Sequence, residues 1–189
     1  MQSVAVFCGA NKGKDPIYVE IARQAGRSLV QRGCKIVFGA GSVGLMGEVA
    51  DAALAAGGHP IGVITEFLVG KEVCHKGLPE LYVVPTMHER KVKMAELSDA
   101  VLTLPGGFGT LDELFELVTL GQLGHDRRPI GILNTRGFYD AMLRQIDVMI
   151  EEGFIKENNR DLLIVDSNLE ALLDQMAAYH ARPFVPKWL

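Results

Sequence analysis

Short apolar runs alternate along the chain with stretches of helical spacing, and this alternation constrains the fold more than any other feature. Residues 3–8, 35–38, 60–64, 81–84, 100–104, 130–133 and 162–165 read as strands. Between them, Asp15 supplies an N-cap and Pro16 a first helical residue, with Ile17, Ile21, Leu29 and Val30 keeping a helical period up to Gly33. Further helices are expected over about 45–56, 87–97, 111–123 and 138–151, and a last one from Asn168, with Ser167 and Glu170 as a capping box. Residues 66–79 read as irregular chain. Strands alternating with helices imply right-handed crossovers. The expected fold is therefore α/β: a single-domain, Rossmann-like doubly wound, mostly parallel sheet with helices on both faces.

The 189 residues fit one domain, 1–189, with 48% hydrophobic and 22% charged residues and no repeat or linker to divide it. The tail 181–189, with Phe184 and Trp188, is expected to pack as irregular chain. A formal charge of -4 argues against a general nucleic-acid surface, which needs clustered Lys and Arg. No basic leader precedes a long apolar run and no stretch suits a membrane span, so no membrane partner is expected and the cytoplasm is the default location. Cys8, Cys34 and Cys74 are too scattered for a disulfide framework, and Cys8 and Cys34 read as small core residues. The histidines lack ligand spacing, and neither a metal nor another cofactor is expected.

In doubly wound folds ligands bind at the carboxyl ends of the strands, and glycine-containing turns occupy that edge here. Gly39-Ala40-Gly41-Ser42-Val43-Gly44 is a GxGxxG between a strand and a helix. It follows the second strand rather than the first, lacks a well-placed acidic partner and has no GK[ST] ending, which argues against a dinucleotide or P-loop site. Its glycines can equally serve tight backbone geometry alone. Leu104-Pro105-Gly106-Gly107-Phe108-Gly109-Thr110-Leu111-Asp112-Glu113 is more informative. Its glycines allow close backbone approach, and the N–H groups opening the following helix favour an anion such as phosphate. Thr110 adds a hydroxyl. Glu113 stands at capping-box spacing from Thr110, which offers a purely structural role for its carboxylate. Thr86-Met87-His88-Glu89-Arg90-Lys91 opens another helix with two adjacent cations, suited either to solvent or to an anion nearby.

The stretches 39–47, 87–94 (MHERKVKM) and 105–113 (PGGFGTLDE) resemble the LONELY GUY family of cytokinin riboside 5′-monophosphate phosphoribohydrolases, once labelled lysine decarboxylases. The resemblance extends from about residue 3 to 165. It implies cleavage of an N6-substituted adenosine monophosphate, or of AMP, to free base and ribose 5-phosphate, by a homodimer whose helices meet near the active sites. It also implies catalytic roles for Arg90 and Glu113. Nucleotide contacts are implied for Glu72, Arg90, Lys91, Gly107, Phe108, Gly109, Thr110, Leu111, Asp112, Glu113 and Thr119. The first turn reads CGANKG where many relatives have CGSSxG, and Ala40 stands where a third glycine is common.

Cleaving an N-glycosidic bond builds oxocarbenium-like charge on the ribose, which a fixed carboxylate stabilises. Glu113 is expected in that role, kept ionised by a helix N-terminus, with Arg90 clamping the phosphate or ribose. The alternative is a non-catalytic nucleotide-binding or carrier protein of the same fold.

Overall fold

A computed structural model describes residues 1–69, 71 and 74–181. The chain runs β1 (Ser3–Phe7), α1 (Ile17–Gln31), β2 (Lys35–Phe38), α2 (Gly44–Ala55), β3 (Pro60–Thr65), α3 (Glu66–Val69), β4 (Glu80–Val84), α4 (Met87–Glu96), β5 (Ala100–Thr103), α5 (Phe108–Gln122), β6 (Ile130–Leu133), α6 (Asp140–Glu151), β7 (Leu163–Asp166) and α7 (Leu169–Ala177). The strands form one sheet in the order β4-β3-β2-β1-β5-β6-β7, and every neighbouring pair is parallel. This is the expected doubly wound α/β architecture.

Both faces of the sheet are covered, which is why its central strands are apolar at consecutive positions rather than at alternate ones. Val4 and Val6 of β1 join Ile36 and Leu102 in a layer under α1, α2 and α7. Ala5 and Phe7 point the other way, with Val37 and Val101, under Met94 of α4, Leu114 and Leu117 of α5, and Leu143 and Ile146 of α6. Among the described residues no helix is long and apolar enough to cross a membrane.

Several element ends differ from the sequence expectation, each for a local reason. Helix α5 begins at Phe108, three residues before the expected start, because its first turn is built on Gly107 and an exposed Phe108 that leave no apolar period to read. A tight turn over Thr135–Gly137, with Arg136 and Gly137 at φ 54 and 70°, delays α6 to Asp140. Asp15 accepts the Ile17 N–H at 3.0 Å, so α1 starts just after Pro16. The irregular stretch 66–79 opens with α3, and its Cys74 bridges back to Gly41. Phe184 and Trp188 of the tail, expected to pack as irregular chain, lie outside the described residues.

The capping box expected at Ser167 and Glu170 is not formed. Asn168 caps α7 instead, accepting the Ala171 N–H at 3.0 Å. Glu170 reaches across to α1, where Ser28 Oγ donates to it at 2.6 Å and Arg32 Nη2 at 2.7 Å. The Ser28 hydroxyl, then the Arg32 guanidinium, hold its carboxyl below the usual glutamate range. A carboxyl depressed on folding stabilises above its unfolded pKa and loses that contribution as pH falls through the folded value. Because Glu170 is about half exposed, the tie between helices is worth ~0.5–1 kcal/mol. Glu170→Gln is expected to cost that amount in urea unfolding at neutral pH and to match the parent protein only once the pH is below the lowered folded value of Glu170.

Candidate active site

Strands β1 and β5 lie side by side, but the chain leaves them in opposite directions across the sheet. The connections after them therefore diverge and leave a crevice at their carboxyl ends. Two turns meet there. Gly9 N–H donates to Pro105 O at 3.0 Å, Leu104 N–H to Phe7 O at 2.9 Å, and Leu45 N–H to Gly9 O at 2.9 Å, so the two turns and the start of α2 form one rigid rim. The rim bounds a cavity of about 530 Å³, lined by both turns, by the first turn of α5, and by Arg90 and Glu113. Tyr18 and Phe138 also line it, packed edge to face with ring centroids 5.8 Å apart.

One wall is the N-terminus of α5. Its cap is Gly107, in extended conformation, and among the described residues no side chain caps the first-turn N–H groups. Helix α4 differs: Thr86 Oγ1 accepts the Glu89 N–H at 3.1 Å while Glu89 accepts the Thr86 N–H at 3.0 Å, a complete capping box. An uncapped helix start facing a cavity suits an anion. A β-carbon at Gly106 would stand 2.1 Å from Thr110 Oγ1 and 2.9 Å from Gly9 N, so only glycine lets the turns close this tightly.

The other wall carries a buried ion pair. Arg90 Nη1 donates to Glu113 Oε1 at 2.8 Å, and Arg90 Nε donates to the Val63 carbonyl at 3.0 Å. The side chains are 7% and 11% exposed. The capping box on α4 fixes the turn from which Arg90 projects, and the end of β3 supplies its carbonyl partner. Burial pushes the Glu113 carboxyl above the usual glutamate range, and the Arg90 charge pulls against that shift. Two expectations are corrected here. Thr110 lies inside α5, so Glu113 is not its capping partner, and the carboxylate turns to Arg90. Glu113 also stands beyond the first turn of α5, where the helix dipole has faded, so Arg90 rather than the helix N-terminus favours its ionised form. Burial, followed by the Glu113 charge, raises the Cys8 thiol far above its ordinary range, so this cavity-lining cysteine is a neutral thiol and no nucleophile.

The cavity brings together Arg90, Gly107, Phe108, Gly109, Thr110 and Glu113. It does not include Lys91, Leu111, Asp112 or Thr119. These line an open groove on the outer faces of α4 and α5, which Phe108 shares. There Lys91 Nζ lies 3.1 Å from Asp112 and 3.0 Å from Glu116, and Thr119 Oγ1 donates to Phe115 O at 2.7 Å. Glu72 lies outside the described residues. The sequence reading missed Asn11, Lys12, Tyr18, Met46 and Phe138, all in the cavity lining. The position of the CGANKG turn, at the end of the first strand, was the signal for Asn11 and Lys12; the two aromatic residues carried none.

Within the GxGxxG stretch, only Leu45 and Met46 just beyond it reach the cavity. Its glycines do other work. A β-carbon at Gly39 would fall 1.9 Å from Arg90 Nη2, and one at Gly44, where φ is +67°, 2.2 Å from the Ala10 carbonyl carbon. Ala40 adopts φ 57° without being glycine, a left-handed position that glycine takes at lower cost.

Comparison with known proteins gives this geometry a setting. A family described as "Possible lysine decarboxylase" matches residues 46–176. The chain is 43% identical over 176 residues to cytokinin riboside 5′-monophosphate phosphoribohydrolase LOG7 of Arabidopsis thaliana, covering 93% of this chain and 81% of that protein. Against the phosphoribohydrolase LOG of Oryza sativa subsp. japonica identity is also 43%, covering 93% and 73%. The chain belongs to the LONELY GUY family. Solved structures share the architecture at lower identity: a molybdenum cofactor binding protein from the phototrophic bacterium Rippkaea orientalis has a TM-score of 0.69 at 20% identity, covering 94% of this chain and 96% of that one. The Moco carrier protein of Chlamydomonas reinhardtii has a TM-score of 0.69 at 19%, covering 94% and 98%. At such identity the likeness is one of fold. In this LONELY GUY protein the first glycine of the GxGxxG stretch makes room for the ion pair. Gly39→Ala is therefore expected to cost about as much as breaking it, ~3 kcal/mol in denaturant unfolding. A loss under about 0.5 kcal/mol, the scale of a neutral surface change, would show that the guanidinium has room elsewhere.

Proposed function

We propose that this chain is a phosphoribohydrolase that cleaves the N-glycosidic bond of cytokinin riboside 5′-monophosphates, of AMP, or of both, releasing free base and ribose 5-phosphate. The observation that carries this reading is the buried Glu113, held by Arg90 in the lining of a cavity that the uncapped start of the same helix also lines. The 5′-phosphate accepts N–H groups from the first turn of α5, with Thr110 beside them. The ribose then lies over Glu113. As the base departs, positive charge grows at C1′ and the O4′ atom, and the fixed carboxylate stabilises it in a site of low dielectric. Water adds to C1′ and loses a proton, the base leaves with a proton, and the atoms balance as base plus ribose 5-phosphate.

Arg90 has a different task from the phosphate clamp expected of it. Its bonds go to Glu113 and Val63, so it keeps the carboxylate charged and points it, while binding energy at the phosphate orients the sugar. A carrier protein has no use for a buried carboxylate near a bound phosphate, which repels it.

We propose further that residues 1–189 act as one nucleotide-binding domain and that two copies pair through α4 and α5. Phe108 is 94% exposed, and Met87, Val92 and Leu123 are also exposed apolar side chains on these two helices. Pairing there gives Lys91, Leu111, Asp112 and Thr119 a place beside a second copy's cavity, consistent with the nucleotide contacts implied for them. The free thiols among the described residues suit the reducing cytoplasm.

Incubation with AMP, CMP, GMP and isopentenyl-AMP, followed by chromatography, should release adenine or its N6-substituted form; no free base from any of the four would reject the hydrolase. Glu113→Gln should retain the monophosphate and lose turnover by roughly 100-fold or more. The reaction needs the ionised carboxylate, whose pKa is raised by burial, so kcat/KM should fall on the acid side with a midpoint above the ordinary glutamate range. Arg90→Gln removes the influence that lowers this pKa, and its acid limb should move to higher pH; an unmoved limb would assign the titration to another group. Light scattering should give the mass of a dimer, and a monomeric mass would overturn the pairing of α4 and α5.

A further inference from the structure

The turn after β1 carries a cation that the reaction as described leaves unused. Among the described residues Arg90 and Lys12 are the cationic side chains in the cavity lining, and Arg90 directs its Nε to Val63 and its Nη1 to Glu113. Lys12 is held in a different way. Its Nζ lies 2.6 Å from Glu48 Oε1, while Arg23 Nε donates to Glu48 Oε2 at 2.7 Å. Glu48 is itself buried, and the Lys12 ammonium, with Arg23 behind it, holds its carboxyl below the usual range. Two cations therefore share one carboxylate, and the cluster keeps a positive charge at the rim. Lys12 is 58% exposed, and an ammonium has three donors, of which the carboxylate needs only part.

The backbone makes this placement rigid. Glu48 stands one helical turn after Gly44, where a β-carbon would fall 2.2 Å from the Ala10 carbonyl carbon, and Leu45 N–H donates to Gly9 O at 2.9 Å. The same Gly9 is tied to Pro105 at the mouth of the α5 cradle. Residues 9–13 are thus fixed against α2 on one side and the glycine turn on the other, with Lys12 between Glu48 and the cavity.

We infer that Lys12, seated by Glu48 and Arg23, is the cation that binds the phosphate of a sugar-phosphate ligand in this cavity, and that it sets the preference for phosphorylated over unphosphorylated nucleosides. The identity of the ligand rests on the hydrolase reading above; the charge logic does not. A phosphate monoester is close to a dianion at neutral pH, and backbone amides supply partial charge only. A charge-assisted contact from an ammonium at the rim completes the site without a basic patch.

The test joins calorimetry of ribose 5-phosphate binding to steady-state hydrolysis of AMP and adenosine, with Lys12→Met, Lys12→Arg and Glu48→Gln. Lys12→Met should weaken ribose 5-phosphate ~10-fold or more and raise KM for AMP to match. Its kcat should fall by less than about threefold, the signature of a contact made equally in ground and transition states. The rate on adenosine should not change, Lys12→Arg should restore most of the affinity, and Glu48→Gln should show a smaller rise in KM. Glu48 keeps Arg23 as partner in Lys12→Met, so the fold should hold, and Lys12→Arg tests the same charge if it does not. Equal affinity of Lys12→Met and the parent for ribose 5-phosphate would overturn the inference, as would absence of binding by the parent. A parent that binds through Lys12 and releases no base loses the hydrolase and keeps the lysine. A parent that hydrolyses AMP with KM indifferent to Lys12→Met does the reverse.

Discussion

The Arg90–Glu113 ion pair is the constraint around which the site is arranged. Removing two charges from water costs several kcal/mol each, and their attraction offsets this only with good geometry and further hydrogen bonds. The geometry here is supplied by elements far apart in sequence: α4 for the arginine, α5 for the glutamate, and the end of β3 for the carbonyl that takes the remaining guanidinium edge. All three sit at the carboxyl edge of the sheet, because strand order and right-handed crossovers place every helix start there. The fold does not select the chemistry, but it determines where a buried pair can be assembled from so many directions.

The glycines follow from the same constraint. Gly39 is small because Arg90 Nη2 occupies the space a β-carbon would need, and Gly106 because Thr110 and Gly9 close on it. A GxGxxG pattern is thus divided between roles: one glycine makes space for a side chain, another adopts a left-handed backbone against the first turn, and neither lines the cavity. The uncapped helix start belongs to the PGGFGT turn, the proposed phosphate cradle. Pattern alone does not separate these roles, since both require the absence of a side chain.

The sequence carried the architecture well, because strands buried on both faces are apolar at consecutive positions, as in Val4 to Phe7 and Ala100 to Leu102, and each lies beside a helical period. It carried Arg90 and Glu113 through their motifs. It did not carry their contact. Thr110 and Glu113 have capping-box spacing, and only the helix start at Phe108, set by an exposed residue with no apolar period, removes that possibility. The same competition went the other way at α7, where Glu170 left its expected cap for Ser28 and Arg32, which are 142 and 138 residues away. Glutamate is long enough to reach either a local backbone N–H or a distant cation. The choice depends on tertiary neighbours that spacing does not encode.

Net negative charge and the proposed phosphate binding are compatible because the partners offered to an anion are distributed by type. Backbone amides at α5 carry no formal charge and so do not neutralise Glu113, whereas a second guanidinium near the pair would compete for its carboxylate. Keeping Arg90 on the glutamate and a lysine at the rim separates the charge that stabilises a developing cation from the charge that attracts an anion. Solvent makes that separation effective, since charges interact less at the exposed rim than in the buried floor. On the proposed reading, a site built this way would hold a phosphate dianion and a catalytic carboxylate in one 530 Å³ cavity without either being cancelled by the other's counter-ion.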